Sequence, residues 1–99
     1  MGWKNLSWLL VIMSLPFQET KLEDNVFIRE FSQITDSGEF MWHRDREDRI
    51  IESIETTDWK IQIDNELPKV IEGKVFIPMG VYHRLIKGTN DLKIKLVKL

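Results

Sequence analysis

The chain has 99 residues, of which 42% are hydrophobic, 30% charged and 10% aromatic, and its formal net charge is −2. This length supports one domain and is too short for two independent cores. Cysteine is absent, which excludes disulfides, cysteine-based zinc sites and thiol catalysis. The slightly acidic balance predicts no nucleic-acid partner, because binding to phosphates requires a basic surface.

The first 22 residues form an apolar N-terminal extension, and residues 23–99 are assigned to the folded domain. Residues 6–17 are nearly all apolar, but this run is well short of the roughly 20 residues that span a bilayer. We therefore expect no membrane span. The interpretation we favour is an element that docks on the domain or on a second subunit.

Two other interpretations of this extension stay open, namely a disordered tail and a signal or anchor segment over residues 3–17, with Lys4 as its charged start. No small-x-small cleavage site follows the apolar run, so we expect a cytoplasmic protein. Pro16 should end the element, because proline lacks an amide donor. The polar residues 18–25 are predicted to form a linker.

From Val26 onward, apolar and polar residues alternate with a period close to two, which is typical of half-buried strands. Turn-forming residues separate about seven or eight short strands, and this spacing favours an antiparallel sandwich or jelly roll. We therefore predict an all-β fold, with Trp42 and Trp59 in the core. The strands are predicted at 26–31, 40–43, 49–55, 59–63, 67–71, 75–77, 82–86 and 92–97.

The chain has two histidines, and the first lies in a charged segment with carboxylates at alternate positions. On a strand, His43, Asp45 and Glu47 would project to one face. Imidazole nitrogen and carboxylate oxygen suit a divalent transition metal, and a second histidine from another strand would complete a facial triad. We therefore take these three residues as candidate metal ligands.

The second histidine lies in the pattern P-x-G-x-x-H, formed by Pro78, Gly80 and His83. Proline ends one strand without needing a donor, and glycine allows the tight turn before the returning strand. The segment resembles the second motif of the cupins, G-x5-P-x-G-x2-H-x3-N. Gly73 is one residue nearer to the proline than the motif asks, and Lys87 stands where the family has asparagine.

The first cupin motif, G-x5-H-x-H-x3-4-E, is met in part. His43 matches its first histidine, Asp45 occupies the position of the second, and Gly38 precedes His43 by one residue too few. Arg49 falls where the glutamate ligand is usual, whereas Glu47 comes early on the same face.

The cupin resemblance covers residues 26–97 and implies a double-stranded β-helix, or jelly-roll barrel, with a small-molecule pocket at its mouth. It also implies a divalent metal ion (Fe, Mn, Ni or Zn) held by His43, His83 and a carboxylate. Asp45 is the implied carboxylate, in the position of the second histidine of the motif. Glu47 is a further candidate, because it would lie on the same face of the strand.

Two basic residues are candidates for substrate binding. The fork of Arg49 suits an anionic substrate, and an ion pair with Glu47 or Asp45 is the alternative. Lys87 at the barrel mouth is the second candidate, with simple solvent exposure as its alternative.

The expected function is small-molecule binding with a divalent metal, as a dioxygenase or an isomerase or epimerase, and catalytic residues are not assigned. The alternative is a non-catalytic sensor or structural module without metal. A more remote alternative resembles 2-oxoglutarate-dependent oxygenases, which share the His-x-Asp…His pattern but need much more chain. We expect a homodimer, because pairing between subunits covers the edges of small sheets.

Overall fold

A computed structural model describes residues 17–99. These residues form eight strands and one short 3-10 turn at Gly38–Phe40, which confirms the all-β prediction. None of the described residues belongs to a helix long and apolar enough to cross a membrane. The strands are β1 Phe17–Glu23, β2 Val26–Phe31, β3 Arg49–Ser53, β4 Lys60–Ile63, β5 Lys69–Val70, β6 Lys74–Ile77, β7 His83–Ile86 and β8 Leu92–Lys98.

The strands form two antiparallel sheets, one of five strands in the order β1-β2-β8-β3-β6 and one of three in the order β5-β4-β7. The two sheets are not closed into a continuous ring, so each keeps its own edges. An isolated antiparallel bridge between His43 and His83 adds the charged segment to the free side of β7.

The core lies between the sheets and is filled by every second residue of the central strands. In β8, Leu92, Ile94 and Leu96 are buried whereas the lysines between them are exposed, because successive side chains of a strand point to opposite faces. Trp59 is fully buried. Its ring packs against Phe40 with 5.6 Å between centroids, and its indole Nε1 donates to the Asn90 carbonyl.

Three local predictions are wrong. The polar residues 18–25 are β1 and a tight turn instead of a linker, because β1 is an edge strand that pairs with β2 and leaves its polar side chains exposed. Residues 40–43 form the end of the 3-10 turn and a single bridge instead of a strand. Trp42 is 44% exposed instead of buried. The part of the predicted N-terminal extension before Phe17 lies outside the described residues.

Candidate metal centre

The backbone brings the two histidines together. The His43 amide donates to the His83 carbonyl at 3.0 Å, and the His83 amide donates to the His43 carbonyl at 2.9 Å. Residues paired directly across two antiparallel strands project on the same face. The two imidazole rings therefore lie side by side, with 4.3 Å between their centroids.

The P-x-G turn anchors the rest of the charged segment. The Gly80 amide donates to the Asp45 carbonyl at 2.9 Å, and the Met79 amide donates to Asp48 Oδ1 at 2.7 Å. Gly80 has φ of 76°, a left-handed conformation that glycine adopts without steric cost. The turn that ends β6 thus fixes the position of Asp45 as well as that of His83.

His43, Asp45 and His83 form one group whose candidate ligand atoms all lie within 4.8 Å of one another. His83 is 3% exposed, and its Nε2 is 3.1 Å from Asp45 Oδ2. The bridge and the turn thus bring together three of the four predicted metal ligands.

Both imidazoles are oriented by the same local contact. Nδ1 of His43 lies 2.8 Å from the Met41 carbonyl, and Nδ1 of His83 lies 2.8 Å from the Val81 carbonyl. A carbonyl oxygen only accepts, so each Nδ1 carries the proton and a neutral ring has its lone pair on Nε2. Histidines that ligate metals are held in this way by a partner on the other ring nitrogen.

Two buried atoms of the group lack a hydrogen-bond partner among residues 17–99, namely His43 Nε2 and Asp45 Oδ2. His43 Nε2 lies 2.6 Å from Glu39 Oε2, and Asp45 Oδ2 lies 3.1 Å from His83 Nε2, so each contact becomes an ion pair when its histidine is protonated. Donor atoms bound to one ion at about 2.1 Å lie about 3 Å apart. With both imidazoles neutral, the donor set could hold a shared cation.

Glu39 and Arg29 are two site residues that the sequence analysis missed. Glu39 contacts His43, and its other oxygen lies 3.5 Å from Arg29 Nη1. Arg29 alternates with Phe27 and Phe31 along β2, and side chains two residues apart on a strand lie on the same face. This pattern could have predicted that Arg29 faces inward. Glu39 gave no comparable signal, because it lies in a short turn.

The contact between His43 and Glu39 shifts both titrations. Burial opposes the charge on His43, but the Glu39 carboxylate, the Met41 carbonyl and the charge of Asp45 outweigh it and raise the pKa of His43. Burial also opposes the charge on Glu39, but His43 and the two arginines of the site lower the pKa of Glu39. The site thus favours a positive charge beside the Glu39 carboxylate.

No protein-family profile and no curated protein matches this sequence. Solved structures do match. A cupin domain from Bordetella pertussis aligns with a TM-score of 0.62 and 18% identity over 85% of this chain and 93% of the other. An RmlC-like cupin from Methanocaldococcus jannaschii, described as a double-stranded β-helix, aligns with a TM-score of 0.56 and 22% identity over 83% and 76%. The chain has the cupin fold.

A third structural neighbour is an enzyme by name. The DMSP lyase of Ruegeria pomeroyi aligns with a TM-score of 0.60 and 14% identity over 85% of this chain and 47% of its own length. At these identities the likeness shows the fold alone. The cupin resemblance predicted from the two motifs is therefore confirmed at the level of the fold.

The remaining predicted site residues lie beside the group in this cupin fold. Glu47 accepts from Arg49 Nε at 2.9 Å, and Arg49 Nη1 lies 3.4 Å from Asp45 Oδ1. The ion-pair alternative for Arg49 is thus what the structure has, and Glu47 is outside the metal group. Lys87 pairs with Asp36 at 3.3 Å.

The interior beside the site is nearly full. The cavity bounded by Asp45, Arg49 and His83 has a volume of about 20 Å³, enough for about one water-sized ligand. Apolar side chains of both sheets form most of its wall, among them Ile51, Ile61 and Leu85. A molecule larger than this does not fit in the cavity.

Proposed function

We propose that this cupin-fold protein binds one divalent transition-metal ion through His43, Asp45 and His83. The observation that carries the proposal is the pair of buried atoms without hydrogen-bond partners, His43 Nε2 and Asp45 Oδ2, which face the same small volume. Two imidazoles and a carboxylate suit Fe, Mn, Ni or Zn better than Mg or Ca, which prefer oxygen ligands.

The charge of the site also favours a dication. Arg29 pairs with Glu19 and Glu39. Arg49 pairs with Asp45 and Glu47, so four carboxylates share two guanidiniums. With both histidines neutral, this network has a net charge of 2 − 4 = −2. Uncompensated charge is costly to bury, and one divalent ion would neutralise it.

We further propose that the bound ion serves chemistry on a small polar molecule, as in a dioxygenase or an isomerase. A metal ion in such a site polarises a substrate oxygen and offers open coordination positions. The chain's own residues hold the ligand atoms in place through the Met41 and Val81 carbonyls, and mostly apolar side chains line the cavity beside them. The name of the lyase with this fold supports a catalytic role.

A second candidate is a non-catalytic metal-binding or structural module. The observation that favours it is the size of the interior cavity, about 20 Å³, against the roughly 300–1,000 Å³ of ordinary ligand pockets. Arg49 is also engaged by two carboxylates, which leaves it less available for an anionic substrate. Its role in substrate binding, like that of Lys87, stays a prediction.

The metal content of the purified protein tests the proposal. We expect about one equivalent of Fe, Mn, Ni or Zn by elemental analysis after reconstitution, and loss of that metal in both His43→Ala and His83→Ala. Asp64→Asn, an exposed acidic residue outside the group, is the control and should keep the metal. A wild-type protein that takes up none of the four ions would overturn the metal site.

A further inference from the structure

We propose that Arg49 is a positioning residue of the metal centre, which holds Asp45 so that one carboxylate oxygen, Oδ2, is presented to the ion. The inference rests on the metal site proposed above. It goes beyond the motif, because the family pattern has a glutamate ligand where this chain has Arg49. A guanidinium has no lone pair to offer a metal, so Arg49 acts on the site through Asp45.

The two carboxylate oxygens of Asp45 have different surroundings. Oδ1 lies 3.4 Å from Arg49 Nη1. Oδ2 lies 3.1 Å from His83 Nε2 and has no hydrogen-bond partner among residues 17–99. The carboxylate of an aspartate rotates broadly about its Cβ–Cγ bond. A cation at Oδ1 limits this rotation and leaves Oδ2 as the oxygen available to an ion.

Glu47 holds the guanidinium in the orientation that this contact needs. Nε and Nη2 of Arg49 both lie 2.9 Å from Glu47 Oε1. The guanidinium is planar and rigid, so these two contacts leave its third nitrogen, Nη1, for Asp45. The Arg49 side chain is 13% exposed and that of Asp45 is 9% exposed, so water competes little for the contact.

The backbone holds both ends of the contact. Arg49 is the first residue of β3 and pairs with Ile77 of β6 and Lys98 of β8. The Asp45 carbonyl accepts from the Gly80 amide at 2.9 Å. Both side chains therefore start from fixed backbone positions, unlike those of a flexible ion pair on the surface.

The charge of Arg49 has an opposing effect on a bound ion. A guanidinium near the site repels a dication, so its removal would strengthen metal binding if charge were its main contribution. Residues that orient a metal ligand have the opposite effect, and their loss costs about 10–100-fold in affinity. The direction of the change on removal of Arg49 therefore separates positioning from simple repulsion.

Cobalt(II) titration of the full chain tests the inference, because the visible absorption of Co²⁺ reports the number and arrangement of its donors. We expect Arg49→Met to weaken Co²⁺ binding about 10–100-fold and to change the spectrum, since Asp45 is then free to rotate. Arg49→Lys keeps a cation near Asp45 Oδ1 and should recover part of the affinity. Arg46→Met, at an exposed arginine of the same segment, is the control and should match wild type.

Each outcome decides the inference. An unchanged spectrum in Arg49→Met, or tighter Co²⁺ binding, would overturn the positioning role and leave the metal site standing. A wild-type protein that binds no Co²⁺ would remove the metal site and the inference together. If Arg49→Met does not fold, Glu47→Gln releases the guanidinium with Arg49 still present. Wild-type affinity and spectrum in that variant would then overturn the role.

Discussion

Each histidine of the site is oriented by the carbonyl of the residue two positions before it, His43 by Met41 and His83 by Val81. Neither ring therefore depends on a distant residue for its tautomer. This local arrangement presents both Nε2 atoms to Asp45, the acidic member of the group. At the scale of single residues, the site depends on atoms that are buried, oriented and left without hydrogen-bond partners.

Asp45→Asn is expected to remove the rise in melting temperature that Mn²⁺ or Zn²⁺ gives the wild-type protein, because an amide oxygen is a weak ligand and carries no charge. Asp48→Asn is the matched control from the same segment. Its Oδ1 can still accept from the Met79 amide, so the metal-induced shift should persist. Thermal melts with and without the ion measure both. An equal shift in Asp45→Asn and wild type would contradict the prediction.

Asp58 gives a prediction on acid stability. Its carboxylate accepts from the Thr89 amide at 2.9 Å and from the Thr89 hydroxyl at 2.8 Å, and these bonds lower the pKa of Asp58 below 3.8. A group whose pKa is lowered by folding stabilises the fold above its unfolded pKa and loses that effect as pH falls through the folded value. Melting of wild type and Asp58→Asn should differ at pH 6, and the difference should start to shrink near pH 3.8 and vanish as the pH falls through the lowered pKa of Asp58. A gap that widens in acid would refute this assignment.

At the scale of elements, one buried cation adds side-chain contacts to the backbone pairing of β1 with β2. Arg29 on β2 pairs with Glu19 on β1 and stacks on Phe17. It also reaches Glu39 in the 3-10 turn. A single inward-facing side chain thus connects an edge strand to the segment that leads into the metal centre.

Arg29→Met is expected to lower the free energy of unfolding by about 1–3 kcal/mol, because two partly buried carboxylates lose their cation. Lys93→Met is the control, since the Lys93–Glu30 pair is largely exposed at 44% and 49% and its loss should change stability by about 0.5 kcal/mol or less. Urea unfolding monitored by tryptophan fluorescence measures both. Equal effects of the two substitutions would show that Arg29 has no special role.

At the scale of the whole molecule, the described strands leave free edges at β1, β6 and β5, and at β7 beyond its single bridge to His43. Exposed edges invite pairing with another chain, and proteins protect them with charge or cover them in oligomers. The free edges therefore favour the homodimer expected from the sequence, which stays a prediction. Light scattering should give twice the mass of one chain, and a monomer at micromolar concentration would contradict it.

The sequence predicted the fold class well because alternation is a local property. The pattern of Trp59 to Asp64 and of Leu92 to Val97 shows which side of each strand is buried, whatever its neighbour. The P-x-G-x-x-H pattern likewise placed a turn before His83, and the structure has that turn. The same locality failed for β1, whose exposed polar residues resemble a linker because only its partner β2 makes it a strand.

Sequence alone therefore determined an all-β chain with two histidines in cupin-like motifs, since both features depend on residues close together along the chain. The tertiary structure decided that Asp45 joins those histidines, that Glu47 pairs with Arg49, and that Glu39 faces His43. These contacts depend on the His43–His83 bridge and on the geometry of two turns. Strand pairing and turn geometry set which side chains meet across segments distant in sequence, and no local pattern encodes them.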